Sequence, residues 1–278
     1  MHVLQNSGTK VIISSLGAEI KSIIHKGKEL IYHGSEGFWQ RSSPVLFPIV
    51  GSLNNGEYIH DNTTYAMSQH GFARDMEFVL TEDSENYCTF TLNSTPETLL
   101  SYPFIFELNI KYTLSENGLE MAYFVKNTGA NTMFYNVGAH PAFVLDLSLR
   151  HSLCFEANEV EVQGLRNGKR VILPHKLNLK NLEITDDLFA ADTIIIDNTK
   201  GILGNTVKLI CKNEPLVTLS FNSPYFGIWK QKNSPFICLE PWWGVADSAM
   251  HNGILEKKEG ILSLQASEQR GHKWSIIF

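Results

Sequence analysis

Phe106-Glu107-Leu108-Asn109-Ile110-Lys111-Tyr112-Thr113-Leu114 alternates apolar and polar side chains along its whole length. That period of two belongs to a strand with one face in a core and one in water. Ser115-Glu116-Asn117-Gly118 follows, and its Asn-Gly predicts a tight hairpin turn into a second strand over Leu119–Asn127.

Outward from this pair, short strand-like runs fill most of the chain. They include Thr9–Ser15, Ala18–His25, Glu57–Ile59, Thr64–Met67, Glu77–Thr81, Tyr87–Asn93, Leu153–Ala157, Thr193–Ile196, Thr206–Ile210, Leu216–Asn222, Phe226–Lys230, Phe236–Leu239, Gly260–Ala266 and His272–Phe278. Helical signals are confined to Ser94–Tyr102, closed by Pro103, and to Thr185–Phe189. Gln163–Lys180 is polar and reads as a loop too short to divide the chain. The expectation is an all-β protein, a large antiparallel β-sandwich forming a single domain over residues 1–278.

Apolar residues make up 43% of the 278, enough for a large core and against disorder. A formal charge of −6, with both signs scattered, argues against a nucleic-acid partner, which needs a basic face. The N-terminal stretch lacks the basic and apolar regions of a secretory signal, and no apolar run is long enough to cross a bilayer. Cys88, Cys154, Cys211 and Cys238 are far apart and form no C-x-x-C pair, so free thiols in a cytoplasmic protein are expected. Oligomeric state is not legible.

Three segments carry chemistry. Gln69-His70-Gly71-Phe72-Ala73-Arg74, Gly138-Ala139-His140-Pro141-Ala142-Phe143 and Cys238-Leu239-Glu240-Pro241-Trp242-Trp243-Gly244 each frame one proton-handling residue with Gly, Pro or aromatic neighbours. Glu240 ends an apolar run, where a carboxylate is costly unless something pairs with it or uses it. Desolvation is expected to raise its pKa. Pro141 holds His140 extended and at a set angle. Aromatic surroundings suit a sugar, whose C–H faces pack on rings. Duller roles stand beside each of these. His140 and Glu240 also read as buried groups bonded to backbone, Trp242 as core, and Arg74 as a surface ion pair with Asp75 or Glu77. Arg41 lies in a loop that also fits a cleft edge, and Asp192 fits either a hydroxyl-binding role or a turn. The other histidines, His175 among them, show no ligand spacing, so no metal site is expected.

The ordered set Ser43-Pro44-Val45-Leu46-Phe47-Pro48-Ile49-Val50-Gly51, Gln69–Arg74, His140-Pro141-Ala142-Phe143 and Glu240-Pro241-Trp242 resembles the aldose 1-epimerase (mutarotase) superfamily, and looks like its LacX-type bacterial branch. That resemblance implies a galactose-mutarotase-type sandwich with the sugar in an open cleft on one sheet. It also implies exchange of α and β anomers of an aldohexose, without metal or cofactor. It assigns Glu240 as general base, His140 as general acid and His70 as the second histidine near the ring oxygen. Arg74, Arg41, Asp192 and Trp242 are then the expected substrate contacts. Related sequences often carry Arg where this chain has Ser52, so the role of that Arg is either missing or taken by Arg41 or Arg74. The corresponding pH profile is a bell with Glu240 ionised and His140 charged. A hexose-6-phosphate epimerase and a non-catalytic sugar-binding protein on the same fold are the alternatives.

Overall fold

The computed structural model describes residues 1–278 apart from Asn167 and Ala191 and the side chains of Pro174 and His175, the last outside any test of the histidine reading. The Phe106–Ser115 and Gly118–Asn127 strands pair from Phe106↔Asn127 to Ser115↔Gly118, which leaves Glu116-Asn117 as the turn. Phe106, Leu108, Ile110, Tyr112 and Leu114 are all buried, as the alternation requires.

Among the described residues this hairpin is part of a nine-stranded antiparallel sheet. Its order runs Leu182–Glu183, His151–Phe155, Thr206–Cys211, Glu214–Phe221, Gln269–Ile277, Gly118–Asn127, Phe106–Ser115, Tyr87–Asn93, Val79–Asp83. An eight-stranded sheet covers its apolar face. The order there is Lys169–Asn178, Glu159–Arg166, Ile194–Asp197, Tyr225–Trp229, Phe236–Trp243, Val137–Ala139 and Val45–Leu46, with Ala142–Val144 also on Phe236–Trp243. One apolar cluster joins the inner faces, from Leu108 and Met121 to Ile228, Leu239 and Trp243. This is the large antiparallel sandwich that alternation and resemblance both led one to expect. A smaller four-stranded sheet built from His2–Gln5 to Lys28–Glu29 packs on the same core.

Both helical expectations hold. Pro96–Ser101 is a short α-helix whose Thr95 and Thr98 cap each other, with Pro96 in the first turn. Asp186–Phe189 is a single 3-10 turn. Gln163–Lys180 corrects the loop reading: it lies in a hairpin of Glu159–Arg166 against Lys169–Asn178, paired from Glu159↔Asn178 to Arg166↔Lys169. This hairpin ends the sheet, and Gly164, Gly168 and its interleaved charged residues break the period-two signal while leaving Ile172 exposed. The four cysteines are free thiols. No described helix is long and apolar enough to cross a membrane.

The inner and outer faces of a strand predict different sensitivities. Ile110→Ala should lose about 2–5 kcal/mol in urea unfolding, and the outward Thr113→Ala about 0.5 kcal/mol or less. Equal losses would contradict this facing of the strand.

Candidate functional site

The eight-stranded sheet is apolar on both sides, and its outer face carries the chemistry. Along Phe236–Trp243, Ile237, Leu239 and Trp243 join the main core. Phe236, Cys238 and Trp242 belong to two small outer clusters, and Glu240 projects between them. Glu240 stands opposite Gly227, and Trp242 opposite Gly138. A Cβ at position 227 would lie 2.5 Å from the Trp242 ring, and one at 138 would lie 2.9 Å from it. Both neighbours must therefore be glycine for the indole to lie flat across the strands and form a floor beside the carboxyl.

His140 reaches Glu240 because the chain breaks its strand there. Val137–Ala139 pairs with the end of Phe236–Trp243 and Ala142–Val144 with its start, leaving His140-Pro141 as the step between. Leu239 N–H donates to the Pro141 carbonyl at 3.2 Å, which ties the step down. His140 Nε2 then lies 3.3 Å from Glu240 Oε2. Trp39 stacks on the His140 ring at 4.6 Å, and Trp229 meets it edge-on at 5.9 Å.

His70 sits at φ +65°, a left-handed conformation rare outside glycine, just before Gly71, whose Cβ would strike the Phe47 carbonyl. The conformation gives it two bonds to one residue. His70 N–H donates to the Gly51 carbonyl at 2.9 Å, and Gly51 N–H donates to His70 Nδ1 at 3.1 Å. An accepting Nδ1 places the proton of the neutral ring on Nε2, leaving an N–H donor for a ligand. Gly51 is held in turn against Ala246, with no room for a Cβ. Beneath Ala246, Lys258 and Asp247 form an ion pair at 3.1 Å, each side chain 1% exposed. Asp247 also accepts from Asn54 N–H, and its own N–H donates to the Ser52 carbonyl. The pair thus clamps the 245–248 segment to the 51–54 segment and fixes the donor that sets the His70 tautomer.

Glu240, His140, His70, Arg74, Asp192 and Trp242 line one cleft of about 250 Å³. Asp192 Oδ1 accepts from Trp229 Nε1 at 2.9 Å, so the exposed aspartate both orients that indole and borders the opening. Arg74 donates to the Gln69 carbonyl at 2.7 Å, and its Nε lies 3.7 Å from Asp75 Oδ2, the ion pair that the duller reading expected. Arg41 is not among the lining residues. It pairs with Asp75 at 2.7 Å, behind Arg74. Ser52 is also off the wall, and Arg74 is the cation among the described lining residues. Trp39, Trp229, Leu165 and Ile195 are also lining residues and were not expected from sequence. Phe38-Trp39 had a signal, two aromatics in a Gly-Ser loop, whereas Trp229 looked like any strand residue.

Burial dominates the electrostatics. It raises the Glu240 carboxyl well above the usual range; the indole N–H of Trp242 opposes the rise, and the charge of Asp192 adds to it. Burial, together with Arg74 and Arg41, pushes His140 down to about 3. It lowers His70 well below the ordinary imidazole value, helped by His140 and the same two arginines. The expected charged pair is thus reversed, because desolvation favours the neutral form of each partner. Both Glu240 oxygens, His140 Nδ1 and Trp242 Nε1 are buried without a hydrogen-bond partner among the described residues. Such a set can bond the polar groups of a ligand.

The family model for aldose 1-epimerase matches residues 1–242. The chain is 33% identical over 279 residues to the chromosomal protein LacX of Lactococcus lactis subsp. lactis, covering 93% of this chain and 92% of that one. A galactose mutarotase related enzyme from Lactobacillus acidophilus is 32% identical with a TM-score of 0.91, over 99% of this chain and 96% of that one. A galactose mutarotase-like protein from Lactobacillus casei is 31% identical with a TM-score of 0.89, over 100% and 99%.

Lys258→Met strands a buried carboxylate and should cost about 3–5 kcal/mol in urea unfolding. The double variant Lys258→Met/Asp247→Leu should recover a large part of that loss. A single variant within about 0.5 kcal/mol of the parent would show that the pair is not the clamp.

Proposed function

Because the chain belongs to the aldose 1-epimerase family, in its LacX-type branch, we propose that it is a mutarotase. It interconverts the α and β anomers of an aldohexose in the Glu240–His140 cleft. The observation that carries this reading is a buried carboxyl with no hydrogen-bond partner among the described residues, 3.3 Å from a buried imidazole. Indoles frame the opening where a pyranose face would pack.

Anomer exchange needs one proton to leave the C1 hydroxyl and one to reach the ring oxygen. The pair supplies both. A neutral carboxyl beside a neutral imidazole holds the same number of protons as a carboxylate beside an imidazolium, so a short transfer across the contact charges the pair when a sugar enters. Glu240 then takes the C1 hydroxyl proton and His140 gives one to the ring oxygen. The His70 Nε2–H steadies charge on that oxygen. The C1–O5 bond breaks, the open-chain aldehyde turns about C1–C2, and closure on the other face runs the transfers backwards. Trp242 and Trp39 hold the ring, while Arg74 and Asp192 meet hydroxyls at the rim.

A second substrate class, a hexose 6-phosphate, is favoured by the Arg74 guanidinium on the cleft wall. Polarimetry of freshly dissolved α-D-glucose and α-D-galactose separates the two, with hexose 6-phosphates run in parallel. The parent should accelerate the free sugars, and Glu240→Gln should lose about 10²–10⁴-fold of that rate while keeping its fold. Full activity in the variant would discard the base; acceleration of the phosphates alone would change the substrate. Acceleration of none of these sugars would leave a sugar-binding protein.

The pH profile follows from the directions of shift. The working pair has one proton to pass, which it loses above the raised Glu240 value and doubles below the depressed His140 value. Catalysis should therefore fall as pH rises through the raised Glu240 value and fall on the acid side only towards pH of about 3. An acid-side midpoint at the ordinary imidazole value, roughly 6.5, would contradict the buried, neutral His140.

A further inference from the structure

Cys238 is a buried group on the reactive face of its strand that the proton transfers leave idle. Residues 238 and 240 project to the same side of Phe236–Trp243, and the His140 step closes a triangle with them. One ligand atom from each of Cys238, His140 and Glu240 lies within 4.8 Å of the other two, and all three residues are buried. The sequence hid this set because no ligand motif joins position 140 to a Cys-x-Glu a hundred residues away.

Thiolate sulfur, imidazole nitrogen and carboxylate oxygen are the donors zinc accepts, and three protein ligands with an open fourth position make a reactive rather than a closed centre. Here the open position is the cleft. A second observation points the same way. Both Glu240 oxygens are buried with no hydrogen-bond partner among the described residues, in a residue only 1% exposed. A dication bonded to that carboxylate would relieve its desolvation. The ligands need to close around the ion to about 2.0–2.3 Å, a contraction of the triangle rather than a rearrangement of strands.

We propose that Cys238, His140 and Glu240 form a site for a thiophilic divalent cation, Zn²⁺ foremost, and that its occupation arrests the reaction. As the ion enters, the Cys238 thiol and the carboxyl–imidazole pair each release one proton to solvent. The metal then holds as thiolate, carboxylate and neutral imidazole the groups that must move protons. The arrest, but not the binding, rests on the mutarotase reading. The trio His60, Asp61 and Glu256 is the other place among the described residues where an ion of this kind would lodge. It contains no sulfur, which gives the test its contrast.

Chelator-treated protein is titrated with Co²⁺, whose bond to a thiolate gives a near-ultraviolet charge-transfer band, and with Zn²⁺ during polarimetry. The parent should show the band and lose at least about tenfold in rate as the site fills, with recovery on adding chelator. Cys238→Ala should keep the basal rate, lack the band, and need at least about tenfold more Zn²⁺ for the same inhibition. Cys238→Ser, which keeps a small polar atom, should behave alike and stands in if the alanine variant misfolds. Absence of the band in the parent, or equal Zn²⁺ sensitivity in parent and variants, overturns the site. A band in a protein with no epimerase activity keeps the site and sinks the function. Activity without a band does the reverse.

Discussion

A carboxyl buried in the middle of a core-like strand, with both oxygens short of hydrogen-bond partners, is the constraint around which the site is arranged. Glu240 is on the outward face of Phe236–Trp243, yet indoles and apolar side chains cover that face nearly as fully as the inner one covers the sandwich core. The surrounding residues follow from this. Gly227 and Gly138 give Trp242 space to lie alongside, and the His140-Pro141 step brings an imidazole within 3.3 Å. The cost of desolvating the carboxylate is met by keeping the proton on.

His70 shows how far the support extends. Its tautomer depends on one backbone N–H, from Gly51, and Gly51 is pressed against Ala246. Under that contact lies a fully buried Lys258–Asp247 pair, an expensive feature for a sandwich that could have packed apolar residues there. Its geometry joins two chain segments about two hundred residues apart. Such a device spends stability on position, as the proposed proton transfers would require, because misplacement of reacting groups is costly.

The fold is legible in the sequence because period-two alternation and turn chemistry are local. Phe106–Leu114 and Asn117-Gly118 specify their hairpin without help from the rest of the chain. Gln163–Lys180 reads as loop because Gly164, Gly168, Pro174 and interleaved basic residues interrupt the alternation that the Glu159–Arg166 and Lys169–Asn178 hairpin would otherwise show. Of the site, His70, His140, Glu240, Trp242, Arg74 and Asp192 stand out through their unusual frames, and the structure brings them to one cleft. Arg41 does not reach it, since a nearby Asp75 captures its guanidinium. Trp39 arrives on a loop that Gln231 pins through the Trp39 N–H, a contact between residues far apart in sequence that local pattern does not carry. The protonation of the Glu240–His140 pair is opposite to the charged pair that sequence suggests. A run of apolar residues shows that a strand is buried, but not that both partners lose their water together.

The most direct test of the central claim is magnetization exchange between the α and β anomeric protons of an aldohexose at equilibrium, with the protein in catalytic amount. Exchange cross-peaks should grow with protein concentration and vanish when His140 is replaced by glutamine. Sugar binding without exchange, for free aldohexoses and their 6-phosphates alike, would contradict a proton-transferring Glu240–His140 pair.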